Sequence, residues 1–207
     1  MKASLEQSDE ELWRLIVAGE TDAFNALYRR RQAGIYRFAL QMCGSETIAE
    51  DVTQEVFITL IRESQIFDPA RGTLAGYLYG IARNQVLRRL EKERPFVAMI
   101  DDGEIEGAAS SAHYVAGDDP LAELGRHELI DSVRQAVLAL PAHYREVVVL
   151  CELHEMSYAE AAAALDCAVG TVRSRLHRAR ALLVERLREA RGADAQRAPD
   201  DPLRCFA

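Results

Sequence analysis

The chain has 207 residues, of which 49% are hydrophobic and 28% are charged, so it has enough apolar side chains to form a packed core. Its formal net charge of −8, taken alone, argues against a nucleic-acid-binding protein, because such proteins usually carry a basic surface. No stretch approaches the length of an apolar transmembrane helix and the N-terminus lacks an apolar signal core, which predicts a cytoplasmic protein.

Apolar residues recur with helical spacing nearly everywhere, and no segment alternates convincingly, which predicts an all-α fold. Ser8 with Glu11, and Thr47 with Glu50, have the Ser/Thr-x-x-Glu spacing of a capping box at a helix start. Four helices are predicted in residues 1–95: from Ser8 to near Gly19, from Thr21 to Met42, from Thr47 onward, and from Thr73 to Arg94.

Residues 96–125 interrupt this pattern and hold most of the net charge, with seven acidic residues and no basic one. Glycines that include Gly103, Gly107 and Gly117 also fall in the segment, with Pro120, which is typical of a flexible linker. The flanking segments 1–95 and 126–190 are close to neutral. The sequence therefore predicts two small helical domains, 1–95 and 126–190, joined by an acidic linker and followed by a flexible tail, 191–207.

Helical spacing resumes at about Arg126 and continues in four segments. The first segment ends at Pro141 and is marked by Leu129, Ile130, Val133, Val137 and Leu140. The second runs through Tyr144, Val147, Val148 and Cys151. The third begins at Ser157 with a capping box to Glu160, and the fourth runs from Val169 to about Glu189.

The last two of these helices, joined by a short turn, have the form of a helix-turn-helix whose second helix is rich in arginine. On a helical projection its apolar stripe is formed by Val172, Leu176, Ala179 and Leu183. The opposite face holds Ser174, His177 and Arg178, flanked by Arg173, Arg175 and Arg180. Arginine forks suit both guanine edges and phosphates, and the helix start at Gly170 and Thr171 offers backbone donors. The alternative is a solvated cationic face on a helix that only packs.

The fourth helix is also basic, and it places Tyr77, Asn84 and Arg88 on one side, a combination that can stack on and bond to exposed bases. Tyr77 and Tyr79 could equally be core aromatics. On the third helix Asp51 and Glu55 lie one turn apart with Gln54 beside them, which indicates either a protein-docking face or an ordinary solvated surface.

These segments together resemble a bacterial RNA polymerase sigma factor of the extracytoplasmic-function (ECF) group, over about residues 9–95 and 126–188. The resemblance is carried by the stretches 49–57, 76–84, Leu140-Pro141, 157–160 and 169–180. Within them, Tyr77 stands where the family frequently has Trp, and Ala168 stands where it frequently has Pro.

The resemblance implies that residues 1–95 form region two, which binds the β′ clamp of core polymerase and opens the −10 element, and that residues 126–190 form region four, which binds the β flap and the −35 element. The implied core-polymerase contacts are Asp51, Gln54 and Glu55. The implied −10 contacts are Phe67, Asp68, Arg71, Tyr77, Arg83, Asn84 and Arg88, and the implied −35 contacts are Tyr158, Thr171, Arg173, Ser174, Arg175, His177 and Arg178. It also implies control by an anti-sigma factor.

Other chemistry finds little support in the sequence. Cys151 and His154 could supply two zinc ligands, but further ligands lie at no usual spacing, so Cys151 is more simply a core thiol and no metal or cofactor is predicted. Cys205, in the tail, is a candidate for oxidation. No phosphate loop or nucleophile-base set indicates an enzyme. An autonomous helix-turn-helix regulator is the main alternative, and it would leave the first domain unexplained.

Overall fold

The computed structural model describes residues 7–63, 67–93 and 120–197, and all regular structure in these ranges is helical. The all-α prediction is confirmed. The helices are α1 (Asp9–Val17), α2 (Thr21–Cys43), α3 (Glu46–Arg62), α4 (Leu74–Glu93), α5 (Pro120–Leu138), α6 (Ala142–Val148), α7 (Tyr158–Ala164) and α8 (Val169–Arg197). A 3₁₀ turn, Pro69–Arg71, precedes α4, and a π-helical turn, Val149–Leu153, follows α6.

Local capping sets most of these boundaries. Ser8 and Ser157 each accept a hydrogen bond from the backbone N–H three residues later, and the side chains of Glu11 and Glu160 accept from the backbone N–H of these serines. Two of the three predicted capping boxes are therefore confirmed, and the one predicted at Thr47 is wrong. Gly44 ends α2 with a φ of 72°, which a glycine adopts without steric cost.

Three predicted boundaries differ from the structure. The cap of α3 is Ser45 instead of Thr47, because the Ser45 hydroxyl accepts from the backbone N–H of Ile48. The helix therefore begins two residues earlier than predicted. Helix α5 begins at Pro120 instead of about Arg126, since proline suits the first helical position, where no N–H is needed. Helix α8 continues to Arg197, past the predicted end near Glu189. Residues 94–119, which hold most of the predicted linker, and residues 198–207 of the tail lie outside the described residues.

The N-terminal unit, α1–α4, has a core of large apolar side chains that includes the fully buried Leu12, Leu27, Phe38, Leu60 and Leu78. Helix α2 packs against the other three helices, and α3 and α4 also pack against each other. In the C-terminal unit, α5–α8, the fully buried side chains include Leu140 and Leu150. The apolar residues that mark α5 divide: Val137 is buried, whereas Leu129, Ile130 and Val133 are exposed.

The two units pack directly on each other along an interdomain seam, formed by α2 and α4 on one side and by α5, α6, the π-helical turn and α7 on the other. Arg145 of α6 fastens one end of this seam. Its guanidinium is buried and donates to the backbone carbonyls of Leu138 and Leu140, and also to that of Met42 at the end of α2. Unpaired carbonyls at helix ends attract a cation, so one arginine joins the ends of α2 and α5. Burial lowers the pKa of Arg145.

Candidate nucleic-acid interface

Helix α8 presents two opposite faces. Val172, Leu176 and Ala179 are buried against the C-terminal unit, which confirms the predicted apolar stripe. Ser174, His177 and Arg178 lie on the opposite face and are exposed. A tight turn with Asp166 at a φ of 49° joins α7 to α8. The second helix of a helix-turn-helix therefore offers a polar, cationic face to solvent, the geometry that enters a major groove.

The arginines of this face are not equivalent. The Arg173 guanidinium lies over the ring of Tyr158, 5.9 Å from its centroid. Arg175 donates to Glu146 at 3.1 Å, and Arg180 is paired with Glu152. Arg178 has no recorded hydrogen bond or ion pair within residues 120–197. The structure thus distinguishes Arg178, which is free to approach a base edge or a phosphate, from three arginines already held by side chains of their own unit.

The start of α8 is also organised. The Ser174 hydroxyl donates to the carbonyl of Thr171 at 3.0 Å, and Thr171 is partly buried, while Gly170 at the helix entry is exposed. The Thr171 N–H, however, donates to the Ala168 carbonyl at 2.8 Å, so of the two predicted backbone donors only Gly170 lacks such a bond among the described residues.

In the N-terminal unit the predicted −10 residues separate into exposed and packed ones. Asn84 and Arg88 are exposed on α4. Phe67 is buried, with its ring 5.7 Å from that of Trp13, and its other neighbour is the half-buried Tyr77 at 5.4 Å. Phe67 is therefore a packed side chain in this arrangement. The core-aromatic alternative, raised for Tyr77 and Tyr79, describes Tyr79, which is 8% exposed, whereas Tyr77 is only half-buried.

The loop before α4 is shaped by Asp68, whose carboxylate accepts from the backbone N–H of Ala70 at 2.9 Å. Thr73 then caps α4 by accepting from the N–H of Gly76. Arg71 is the last residue of the 3₁₀ turn, and only its backbone is described by the structure. These two hydrogen bonds shape the chain from Asp68 into the first turn of α4.

Helix α3 carries the third predicted site. Asp51 and Gln54 are exposed and Glu55 is partly exposed on its outer face. The same face continues into Ile58 and Ile61, which are 39% and 53% exposed. Sequence reasoning missed these two isoleucines, although their helical spacing could have indicated them: Ile58 is four residues after Gln54 and seven after Asp51, and Ile61 is three residues after Ile58. Apolar side chains bordered by carboxylates are typical of a protein-docking surface.

The interdomain seam brings α4 against α7. A Cβ placed on Gly80 would lie 3.2 Å from the carbonyl oxygen of Ala164, and one placed on Gly76 would lie 3.8 Å from that of Glu160. The two helices therefore approach closely because glycines face an alanine-rich helix. One helix of each candidate DNA-binding surface is consequently held against the other unit.

His154, at the end of the π-helical turn, lies in a polar network across the seam. Its Nδ1 is 3.0 Å from the Tyr79 hydroxyl, and its Nε2 is 2.9 Å from Oε1 of Gln41. The amide oxygen of Gln41 can only accept, so Nε2 carries the proton, Nδ1 accepts, and the Tyr79 hydroxyl donates. Burial and, to a smaller extent, Arg37 lower the pKa of His154 from 6.5 to about 4, which keeps the ring neutral at physiological pH.

This pKa predicts that acid opens the seam. In an open arrangement the His154 ring returns to water and to a pKa near 6.5, so protonation of the ring favours opening. The closed arrangement therefore has its full stability above pH 6.5 and loses stability as the pH falls towards 4. Between pH 7 and pH 5 we expect the open-to-closed ratio to rise about tenfold, after allowing for the partial exposure of the ring. The distance between dyes attached to α3 and α8 measures it.

Replacing His154 with Asn provides the control for this titration. Asn removes the titrating group, so the dye distance should no longer change between pH 7 and pH 5. An unchanged pH response in the variant would assign the transition to another group.

Several sequence candidates stand outside these surfaces. No group of three or more His, Cys, Asp or Glu side chains with the placement of a metal site occurs within the described ranges. Cys43, Cys151 and Cys167 are partly buried and form no disulfide among the described residues, and Cys205 lies outside those residues. Across residues 7–63, 67–93 and 120–197, none of the helices is both long and apolar enough to cross a bilayer.

Family models and known relatives agree with this geometry. Residues 27–96 match the model described as "Sigma-70 region 2", and residues 130–183 match "Sigma-70, region 4". The chain is 34% identical over 175 residues to the ECF RNA polymerase sigma factor SigW of Bacillus subtilis, covering 83% of this chain and 92% of that protein. It is also 34% identical to the ECF sigma factor SigE of Mycolicibacterium smegmatis over 180 residues, 85% of this chain, and it spans 66% of that relative's length.

Two solved structures have the same fold. One, described as CnrH in complex with the cytosolic domain of CnrY, gives a TM-score of 0.64 at 27% identity, covering 88% of this chain and 99% of that one. The other, the sigma factor RpoE in complex with the anti-sigma factor NepR from Bartonella quintana, gives 0.56 at 25% identity, covering 76% and 91%. With both sigma regions matched in order and a relative aligned over most of its length, the chain belongs to the ECF sigma factors of RNA polymerase.

Proposed function

We propose that this chain binds core RNA polymerase and directs initiation at promoters that carry −10 and −35 elements, acting in the cytoplasm and without catalysis of its own. The exposed face of Ser174, His177 and Arg178, on the second helix of a helix-turn-helix within the region-four match, is the observation that carries this proposal. Residues 1–95 act as region two and residues 126–190 as region four, with α5 extending the latter back to Pro120.

Residue roles follow from exposure and from the resemblance. Arg178, His177 and Ser174 contact base edges of the −35 element, while Arg173 and Tyr158 contact its backbone as a stacked pair. Asn84 and Arg88 contact the −10 element, where an exposed base can be captured and read. Phe67 and Tyr77 reach it only after the aromatic cluster around Trp13 rearranges.

Core polymerase is the partner proposed for the outer face of α3. Asp51, Gln54 and Glu55 supply polar contacts, and Ile58 and Ile61 supply the apolar area that makes such a contact stable. An anti-sigma factor is a second proposed partner, supported by the relative from Bartonella quintana that was solved with one.

Association with the polymerase should control DNA binding. The free chain is acidic overall and its two units are packed together, so it cannot place both basic helices on DNA at once. We therefore expect binding of a random duplex library by the free chain to be weak, and binding by the chain with core polymerase to be sequence-selective and tighter. Tight binding by the free chain that core polymerase does not improve would favour an autonomous helix-turn-helix regulator instead.

A further inference from the structure

Glu146 of α6 is a carboxylate buried between two arginines that belong to different DNA-binding surfaces. It is 1% exposed. Its Oε2 accepts from Nε of Arg83 at 2.6 Å, and its Oε1 accepts from Nη1 of Arg175 at 3.1 Å and from Nη2 of Arg83 at 3.4 Å. A buried carboxylate needs such charged donors, since losing them would leave an uncompensated charge away from water.

Both arginines are among the DNA contacts that the sigma-factor resemblance implies, and they lie on the two DNA-binding surfaces of the proposed function. Arg83 lies on α4 and also donates to the side-chain oxygen of its exposed neighbour Asn84 at 3.3 Å. Arg175 lies on α8, one residue from Ser174. A guanidinium fork binds a carboxylate and a phosphate with the same geometry, so Glu146 occupies the donors that a DNA phosphate would use.

The two pairs differ in what happens when the units separate. Arg175 and Glu146 belong to the same C-terminal unit, so their ion pair persists in an open arrangement. Arg83 belongs to the N-terminal unit, so its pair with Glu146 exists only while the seam is closed. Opening thus releases Arg83 without leaving Glu146 unpaired.

We propose that Glu146 is a positioning residue for both DNA-binding units: through Arg175 it orients the recognition helix, and through Arg83 it withholds a region-two arginine from DNA until the seam opens. A DNA phosphate then replaces the Glu146 carboxylate on Arg83. This role rests on the proposed function, because only there do the surfaces that carry the two arginines meet DNA.

Glu146→Gln tests this role, and Glu152→Gln is its matched control. Both changes remove one carboxylate that pairs with an arginine of α8, but Glu152 pairs with Arg180 and makes no hydrogen bond or ion pair to the described residues of the N-terminal unit. The first probe is a random pool of labelled single-stranded DNA of about 12 nucleotides, bound by the free full chain. The second is duplex DNA carrying the −35 sequence that the wild-type chain with core polymerase selects from a random library.

The expected result is a pair of opposite changes. Glu146→Gln should tighten single-stranded binding by the free chain about tenfold, because Arg83 is released, and should weaken −35 binding by the holoenzyme about threefold, because Arg175 loses its charged anchor. Glu152→Gln should leave single-stranded binding unchanged. A general folding defect would instead weaken both activities of Glu146→Gln.

A second variant guards against such a defect. Gly80→Leu places a side chain against the Ala164 carbonyl, which should open the seam and leave the Glu146–Arg175 pair intact. Binding of single-stranded DNA by the free chain should therefore rise, while binding of the −35 duplex by the holoenzyme stays unchanged. If the wild-type holoenzyme selects a promoter but neither variant changes single-stranded binding, the role of Glu146 is wrong and the proposed function stands. If the wild-type chain with core polymerase selects no promoter, the proposed function itself fails.

Discussion

Reversing the charges of Asp51 and Glu55 to Lys is expected to weaken association with core RNA polymerase at least a hundredfold, about 3 kcal/mol or more. Both carboxylates lie on the outer face of α3, next to the exposed Ile58 and Ile61. Replacing a carboxylate at the border of such a docking surface with a lysine weakens binding more than removing the carboxylate does. The lysine places repelling charges at a desolvated contact.

The control for this change is Glu20→Lys with Asp22→Lys. These residues are exposed on the same unit, give the same change in net charge, and lie at the start of α2, where Glu20 makes no side-chain capping bond. Association measured by surface-immobilised core polymerase should be close to wild type. Equal loss in both double variants would show that net charge, not the α3 face, controls binding.

Replacing Arg178 with Ala is expected to lower initiation from promoters that depend on a −35 element by about tenfold to a hundredfold, with little effect on core binding. Arg178 is exposed opposite the buried stripe of α8 and has no recorded partner within the C-terminal unit, so its guanidinium is available for bidentate contact with a base. Such a contact contributes about 1–3 kcal/mol of discrimination. Single-round transcription measures the change.

Arg188→Ala is the matched control, since Arg188 is exposed on the same helix almost three turns further along. It should retain near wild-type initiation. Full activity of Arg178→Ala on the same promoter would mean that another side chain reads the −35 element.

Sequence reasoning succeeded where a structure depends on neighbours in the chain. The capping boxes at Ser8 and Ser157 and the buried stripe of α8 follow from spacings of three or four residues, and the structure confirms them. It failed at the start of α3, where two hydroxyl residues compete and Ser45 is the one that caps. It also placed the start of α5 too late, because acidic composition outweighed the helix-start signal of Pro120.

The seam could not have been predicted in the same way. Arg83 and Glu146 are 63 residues apart, and His154 meets Gln41 across 113 residues. In the sequence, His154 was at most one of two possible zinc ligands with Cys151, and nothing indicated a role for Glu146. Their roles depend on how two separately predictable units pack, which is a tertiary property.

Promoter-dependent transcription with purified components tests directly whether the chain acts as a sigma factor. The chain would be added to core RNA polymerase on a library of templates with randomised −35 and −10 segments, and the transcribed templates would be sequenced. We expect initiation only when the chain and core RNA polymerase are both present, and only from templates enriched in one −35 and one −10 sequence. Absence of any chain-dependent initiation, with DNA binding by the chain alone, would contradict it.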